Sequence, residues 1–106
     1  MRSYLLTLGD TNAHNLLTLI QAVDTAFQRV SGYSSILFQA DVGNTSSQYV
    51  AVGTDSLTSS NYSFKMGPGV FSPLLQEGGG INGISIADFY LIATNANLKV
   101  GVLIMD

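Results

Sequence analysis

The sequence contains no cysteine and no tryptophan. Without cysteine there are no disulfides, no thiolate metal ligands and no cysteine nucleophile. Without tryptophan the chain lacks the largest flat ring for stacking on a sugar. Charge is also scarce. Charged residues make up 10% of the chain, against about 25% in an average soluble domain. The four basic residues, Arg2, Arg29, Lys65 and Lys99, are scattered, and the net charge is −3. Holding a phosphate backbone needs clustered Lys and Arg, so a nucleic-acid partner is not expected. The same shortage argues against docking on an anionic membrane surface. Apolar runs are short: Leu16 to Val23 is interrupted by Thr18 and Gln21, whereas a membrane span needs about 20 mostly apolar residues. The basic-then-apolar order of a signal peptide is missing at the N-terminus.

What is present is 106 residues, one domain's worth, 46% of them hydrophobic. A chain so apolar and so poor in charge either stays soluble through Ser, Thr, Asn and Gln or covers its outside. The expectation is that it covers it, against copies of itself or a partner.

Residues 1–8 alternate, with Tyr4, Leu6 and Leu8 on one face of a first strand that ends at Gly9-Asp10. Leu16, Leu19, Ile20, Val23 and Phe27 then fall at helical spacing. They predict one helix over about Ala13–Gln28, capped by Asp10, Thr11 or Asn12, with Arg29 at its C-terminal end. Asp24-Thr25 is a point where it could stop early.

From Ser34 the period becomes two. Ile36, Phe38 and Ala40 share a face. Over Gln48–Gly53, Tyr49 and Ala51 oppose Val50 and Val52. Tyr62, Phe64 and Met66 oppose Ser63 and Lys65, and Gly67-Pro68-Gly69 turns the chain. Val70–Leu75 reads as an edge strand because of Pro73. Gln76–Gly83 carries four of the eleven glycines and reads as a flexible loop. Ile84–Ile86, Phe89–Ala93 and Leu98–Met105 read as further strands, the last with Leu98, Val100, Val102 and Ile104 on one face. About eight short strands and one helix predict a mainly β fold: an antiparallel β-sandwich or jelly-roll-like barrel in one domain, residues 1–106.

Catalytic and metal chemistry find little to work with. His14 is the one histidine and sits in the first predicted helical turn, so it reads as a solvated or capping residue. The acids Asp10, Asp24, Asp41, Asp55, Glu77, Asp88 and Asp106 fall mostly in turns, where carboxylates accept backbone N–H groups. Asp41 and Asp55 flank one strand at opposite ends, which keeps them from forming a glycosidase pair. No Asp-x-Asp-x-Asp spacing marks a calcium loop. Gly78-Gly79-Gly80 lacks the Lys-Ser/Thr ending of a phosphate loop. Asn44-Thr45-Ser46 and Asn61-Tyr62-Ser63 match the glycosylation pattern but read as polar turns. Tyr33, Tyr49, Phe64, Phe71 and Phe89 read mainly as core. Tyr62 and Tyr90 are the candidate interface residues; no catalytic, cofactor or metal residue is assigned.

The second half of the chain runs ILFQADVGNTSSQYVAVGTDSLTSSNYSFKMGPG and then ISIADFYLIATNANLKVGVLIMD. It resembles the small β-sandwich proteins of tailed-bacteriophage particles. The features that carry the resemblance are Asn44, the Tyr49–Gly53 strand, Ser59-Ser60-Asn61-Tyr62, Gly67-Pro68-Gly69, Asp88-Phe89-Tyr90 and a final hydrophobic hairpin strand. With the Asn15–Ile20 helix they cover residues 10–106. The resemblance implies a non-enzymatic virion component: a capsid decoration or cement protein, or a tail, baseplate or fibre-adaptor subunit. It implies no cofactor and carries over no catalytic residue. The expected partners are a second copy of the chain, with a trimer suited to capsid three-fold positions, and the major capsid protein. A carbohydrate-binding module using exposed tyrosines is the alternative of a different class.

Overall fold

The computed structural model describes residues 2–76 and 83–106. Alternation decides most of it. In β1, Arg2–Leu8, the side chains of Leu6 and Leu8 are fully buried while Leu5 and Thr7 face outward. In β3, Ser35–Ala40, the inward set is Ile36, Phe38 and Ala40; in β8, Leu98–Met105, it is Leu98, Val100, Val102 and Ile104. These three strands pair antiparallel, with β8 between β1 and β3. The two-residue β6, Leu75–Gln76, completes a four-stranded sheet in the order β1-β8-β3-β6.

The second sheet has the order β2-β7-β4-β5, from His14–Asn15, Tyr90–Ala93, Val50–Gly53 and Phe64–Met66. Its inward residues are Leu91, Ala93, Val50, Val52 and Met66, which meet the first sheet's inner face in one core. Phe38 touches both Phe64 and Phe89 there, with ring centroids 6.5 and 5.9 Å apart. The protein is a β-sandwich of two four-stranded antiparallel sheets with one short helix near the N-terminus, and the expected fold class holds.

The helix α1 is Leu16–Val23, half the expected length. Its start is set by Asn15, whose Oδ1 accepts from Leu17 N at 2.9 Å, and not by Asp10, Thr11 or Asn12. Residues 14–15 are instead taken into the second sheet, opposite Tyr90 and Leu91. Its end falls at Asp24, whose carboxylate accepts from Tyr4 OH at 2.7 Å and lies 3.6 Å from Arg2. That contact turns the chain, so Phe27 enters the core from a loop and packs edge-on against Tyr4. Arg29 is then far from the helix end; it stacks on Tyr33 and pairs with Asp106 at 2.7 Å. An eight-residue helix is unstable alone. Burial of Leu16 and Ile20 holds it, and it contacts both β1 and β2, closing the sandwich on that side.

Three other expectations change. Residues 84–86 do not form a strand: Ile84 makes an isolated bridge to Tyr33, and Ile86–Asp88 is a 3₁₀ turn. Val70–Leu75 shrinks to a bridge at Phe71 and the edge strand β6. The final strand is not a hairpin partner of β7, because residues 94–97 cross from one sheet to the other. Asn97 takes φ 66° in that crossing, and its N–H reaches Leu8 O at 2.7 Å. The glycine run 78–80 lies outside the described residues.

Candidate functional site

The one pairing that imitates catalytic geometry is His14 with Asp10, Nε2 to Oδ1 at 2.6 Å. Asp10 also accepts from Asn12 N at 2.9 Å. That backbone bond first, and His14 second, hold its carboxyl below the usual carboxylate range. The pair lies in a solvent-exposed turn, with Asp10's side chain 53% exposed. No hydroxyl bonds the imidazole among the described residues, so nothing there is placed as a nucleophile. His14 belongs to β2 and is not a helix cap. Among the described residues no three His, Asp or Glu side chains converge as metal ligands. Asn44, in the first glycosylation-like triplet, bonds Lys99 N and O through its side chain and ties the 41–48 turn to β8.

The outer face of the second sheet carries a cleft of about 410 Å³. Register builds it. Ile92, Ala51 and Lys65 stand side by side on β7, β4 and β5. Ala51, the smallest of the three, forms the floor. Tyr49 and Tyr62 rise beside Lys65, whose Nζ sits 4.5 and 5.8 Å from their ring centroids. Such cation–π contacts contribute about 0.5–1 kcal/mol at an exposed site. Lys65 has no carboxylate partner among the described residues. Tyr62 therefore does not share the inward face of Phe64 and Met66, as alternation predicts; the strand starts at Phe64, and Tyr62 lies before it on the outside.

Tyr90 faces outward too, opposite Gly53. It lines a separate hollow with Asp55 and Asp88. Leu57 folds over Gly53, so close that a Cβ on Gly53 would lie 3.0 Å from it. The two tyrosines expected at an interface thus share a sheet face but not a site. Tyr49 is the cleft residue sequence reading missed. The available signal was its alternation with Val50, which places it on the face of Lys65.

The outer face of the first sheet differs in kind. Leu5 is 54%, Phe71 58% and Leu74 49% exposed. Half-buried Leu37 and Leu103 lie between them. Lys99 is the one ionisable residue at the outward positions of β1, β3 and β8. At the middle, Gly101 leaves a hollow of about 280 Å³. No protein family, curated protein or solved structure matches the chain.

Proposed function

We propose that this chain is a non-enzymatic structural subunit that works by self-association and attachment. The observation that carries this reading is the first sheet's outer face, nearly uncharged, where an exposed apolar patch of Leu5, Phe71 and Leu74 with Leu37 and Leu103 is bordered by Ser3, Thr7 and Gln39. A contiguous exposed apolar patch on a small domain marks an interaction surface. The resemblance of residues 10–106 to phage-particle sandwiches supplies the setting: a virion, assembled in the bacterial cytoplasm, with this chain as a capsid decoration or cement protein. Its mechanism is multivalent clamping. Each copy makes a modest contact with the major capsid protein, and an oligomer spanning neighbouring subunits converts these into durable attachment through effective concentration.

The test is to heat particles with and without the chain. Particles lacking it should release their contents at lower temperature. Equal survival would end the clamping reading, and a tagged chain seen only along the tail would move it to a tail or baseplate subunit. One observation favours a second reading, a carbohydrate-binding module: the Tyr49–Tyr62–Lys65 cleft joins aromatic faces, a cation and the hydroxyls of Thr11 and Ser59. Glycan-array binding that disappears in Tyr62→Ala would establish it.

A further inference from the structure

Gly101 sits at the centre of β8, between Leu5 on β1 and Gln39 on β3. Glycine in a strand interior weakens it, since it loses more backbone entropy on folding and offers no side chain to pack. A fold keeps one there for a positive φ or for a close approach. Gly101 is not among the residues with positive φ. Nor does the chain itself crowd it. A Cβ at this position would meet only Gln39 O at 3.7 Å and Tyr4 O at 4.0 Å, ordinary contacts. Gly83 is the contrast: there a Cβ would come within 2.8 Å of the Gly32 backbone. Nothing described inside the molecule requires the missing side chain at 101, yet its absence opens an apolar hollow in the middle of an exposed apolar face.

We infer that the hollow over Gly101 is the socket of a self-association face, and that its occupant is a second copy of this chain. The inference rests on the self-association reading above and gives it a site. Three features select a second copy. The face holds a socket at Gly101 and, beside it, the projecting ring of Phe71, 58% exposed. Projection and socket on one patch are what a two-fold, isologous contact requires. The face is almost uncharged, so two copies meet without repulsion, while a charged partner finds nothing complementary. The extent also fits. Three strands of six to eight residues, and the 70–76 segment that runs beside β3 and ends in the two-residue β6, give roughly 450 Å² in projection at about 4.8 Å between neighbours. Corrugation by Leu5, Phe71 and Leu74 raises the accessible area toward the roughly 800 Å² per partner of a stable interface. A three-fold assembly, the capsid-matched expectation, would use a head-to-tail contact on another surface.

The experiment is sedimentation equilibrium of the full chain and of Gly101→Ala and Gly101→Val, up to a few hundred micromolar. Far-UV circular dichroism and melting are measured at dilutions where every form is monomeric. The expected result is a wild-type dimer, a graded loss from Ala to Val, and a Val variant that folds at least as stably but associates roughly tenfold more weakly or worse, a change of about 1.4 kcal/mol or more. Should Gly101→Val fail to fold, Phe71→Ser takes its place, and folded monomer is again the expected result. A wild type that stays monomeric throughout overturns the inference, while attachment to capsids would remain open to the heating test. An oligomer untouched by Gly101→Val or Phe71→Ser overturns the assignment of this face and leaves self-association standing.

Discussion

At Ser72 a side chain stands in for a backbone group. Ser72 N donates to Phe38 O at 2.8 Å, and Phe38 N donates in return to the Ser72 hydroxyl oxygen at 2.9 Å. The hydroxyl then donates to Pro73 O at 2.9 Å. The following residue, Pro73, has no N–H to extend a ladder, so this exchange holds the edge of the first sheet across the interruption before β6 resumes the pairing at Leu75. Ser72 is 6% exposed and Phe38 fully buried, so no water replaces the bond. Ser72→Ala leaves a buried N–H unsatisfied, which costs about 1–3 kcal/mol. Urea denaturation should show that loss, with Ser72→Thr recovering part of it. Loss within error of zero would mean that the edge repairs itself.

The elements show where local preference yields to contact. Leu16, Leu19, Ile20 and Val23 do form a helix, but Val23 ends 56% exposed because the chain leaves the helix at Asp24. Asn15 is the joint that fixes its other end. Its Oδ1 caps Leu17 N, and its Nδ2 donates to Ala87 O at 2.8 Å, tying the helix to the 3₁₀ turn 72 residues away. Asn15→Ala removes both and should destabilise the fold by about 1–2 kcal/mol. Asn15→Asp keeps the cap and loses the tether, so its denaturation midpoint should fall between the two. Equal midpoints for Asp and wild type would show that the tether contributes nothing.

For the whole molecule, the two outer faces differ in chemistry. The second sheet presents tyrosines, a lysine and hydroxyls around Ala51; the first presents Leu37, Leu103 and Phe71, with Ser3 and Gln39, around Gly101. The proposed association through the first face would be hydrophobic and bury no ion pair. Its dissociation constant should therefore change less than roughly twofold between about 0.05 and 0.5 M NaCl, a range over which exposed charge pairs are screened. Sodium sulfate should tighten it, because excluded salts favour burial of apolar surface. Dissociation in NaCl would point to a polar contact, with Lys65 or Lys99 the cations to examine.

By itself the sequence determined a mainly β fold, sandwich or jelly-roll-like barrel, because alternation in β1, β3, β4 and β8 assigns each side chain a face without reference to any partner; the two four-stranded sheets were decided by the tertiary structure. The sequence also determined the scarcity of catalytic and metal-binding chemistry, a matter of composition. It singled out Tyr62 and Tyr90 as interface candidates, but alternation put Tyr62 on the face of Phe64 and Met66, and only the structure shows it outside, because the strand begins at Phe64. Of the two ends the sequence offered for the helix, Gln28 or an early stop at Asp24-Thr25, the tertiary structure decided for the second, where Asp24 is captured by Tyr4 and Arg2, some 20 residues back in the chain. It alone decided that β8 leaves β7 for the other sheet. It alone set Gly101 apart: a glycine in a strand reads the same from sequence whether packing demands it or not, and here an added Cβ would make only ordinary contacts, the nearest at 3.7 Å to Gln39 O.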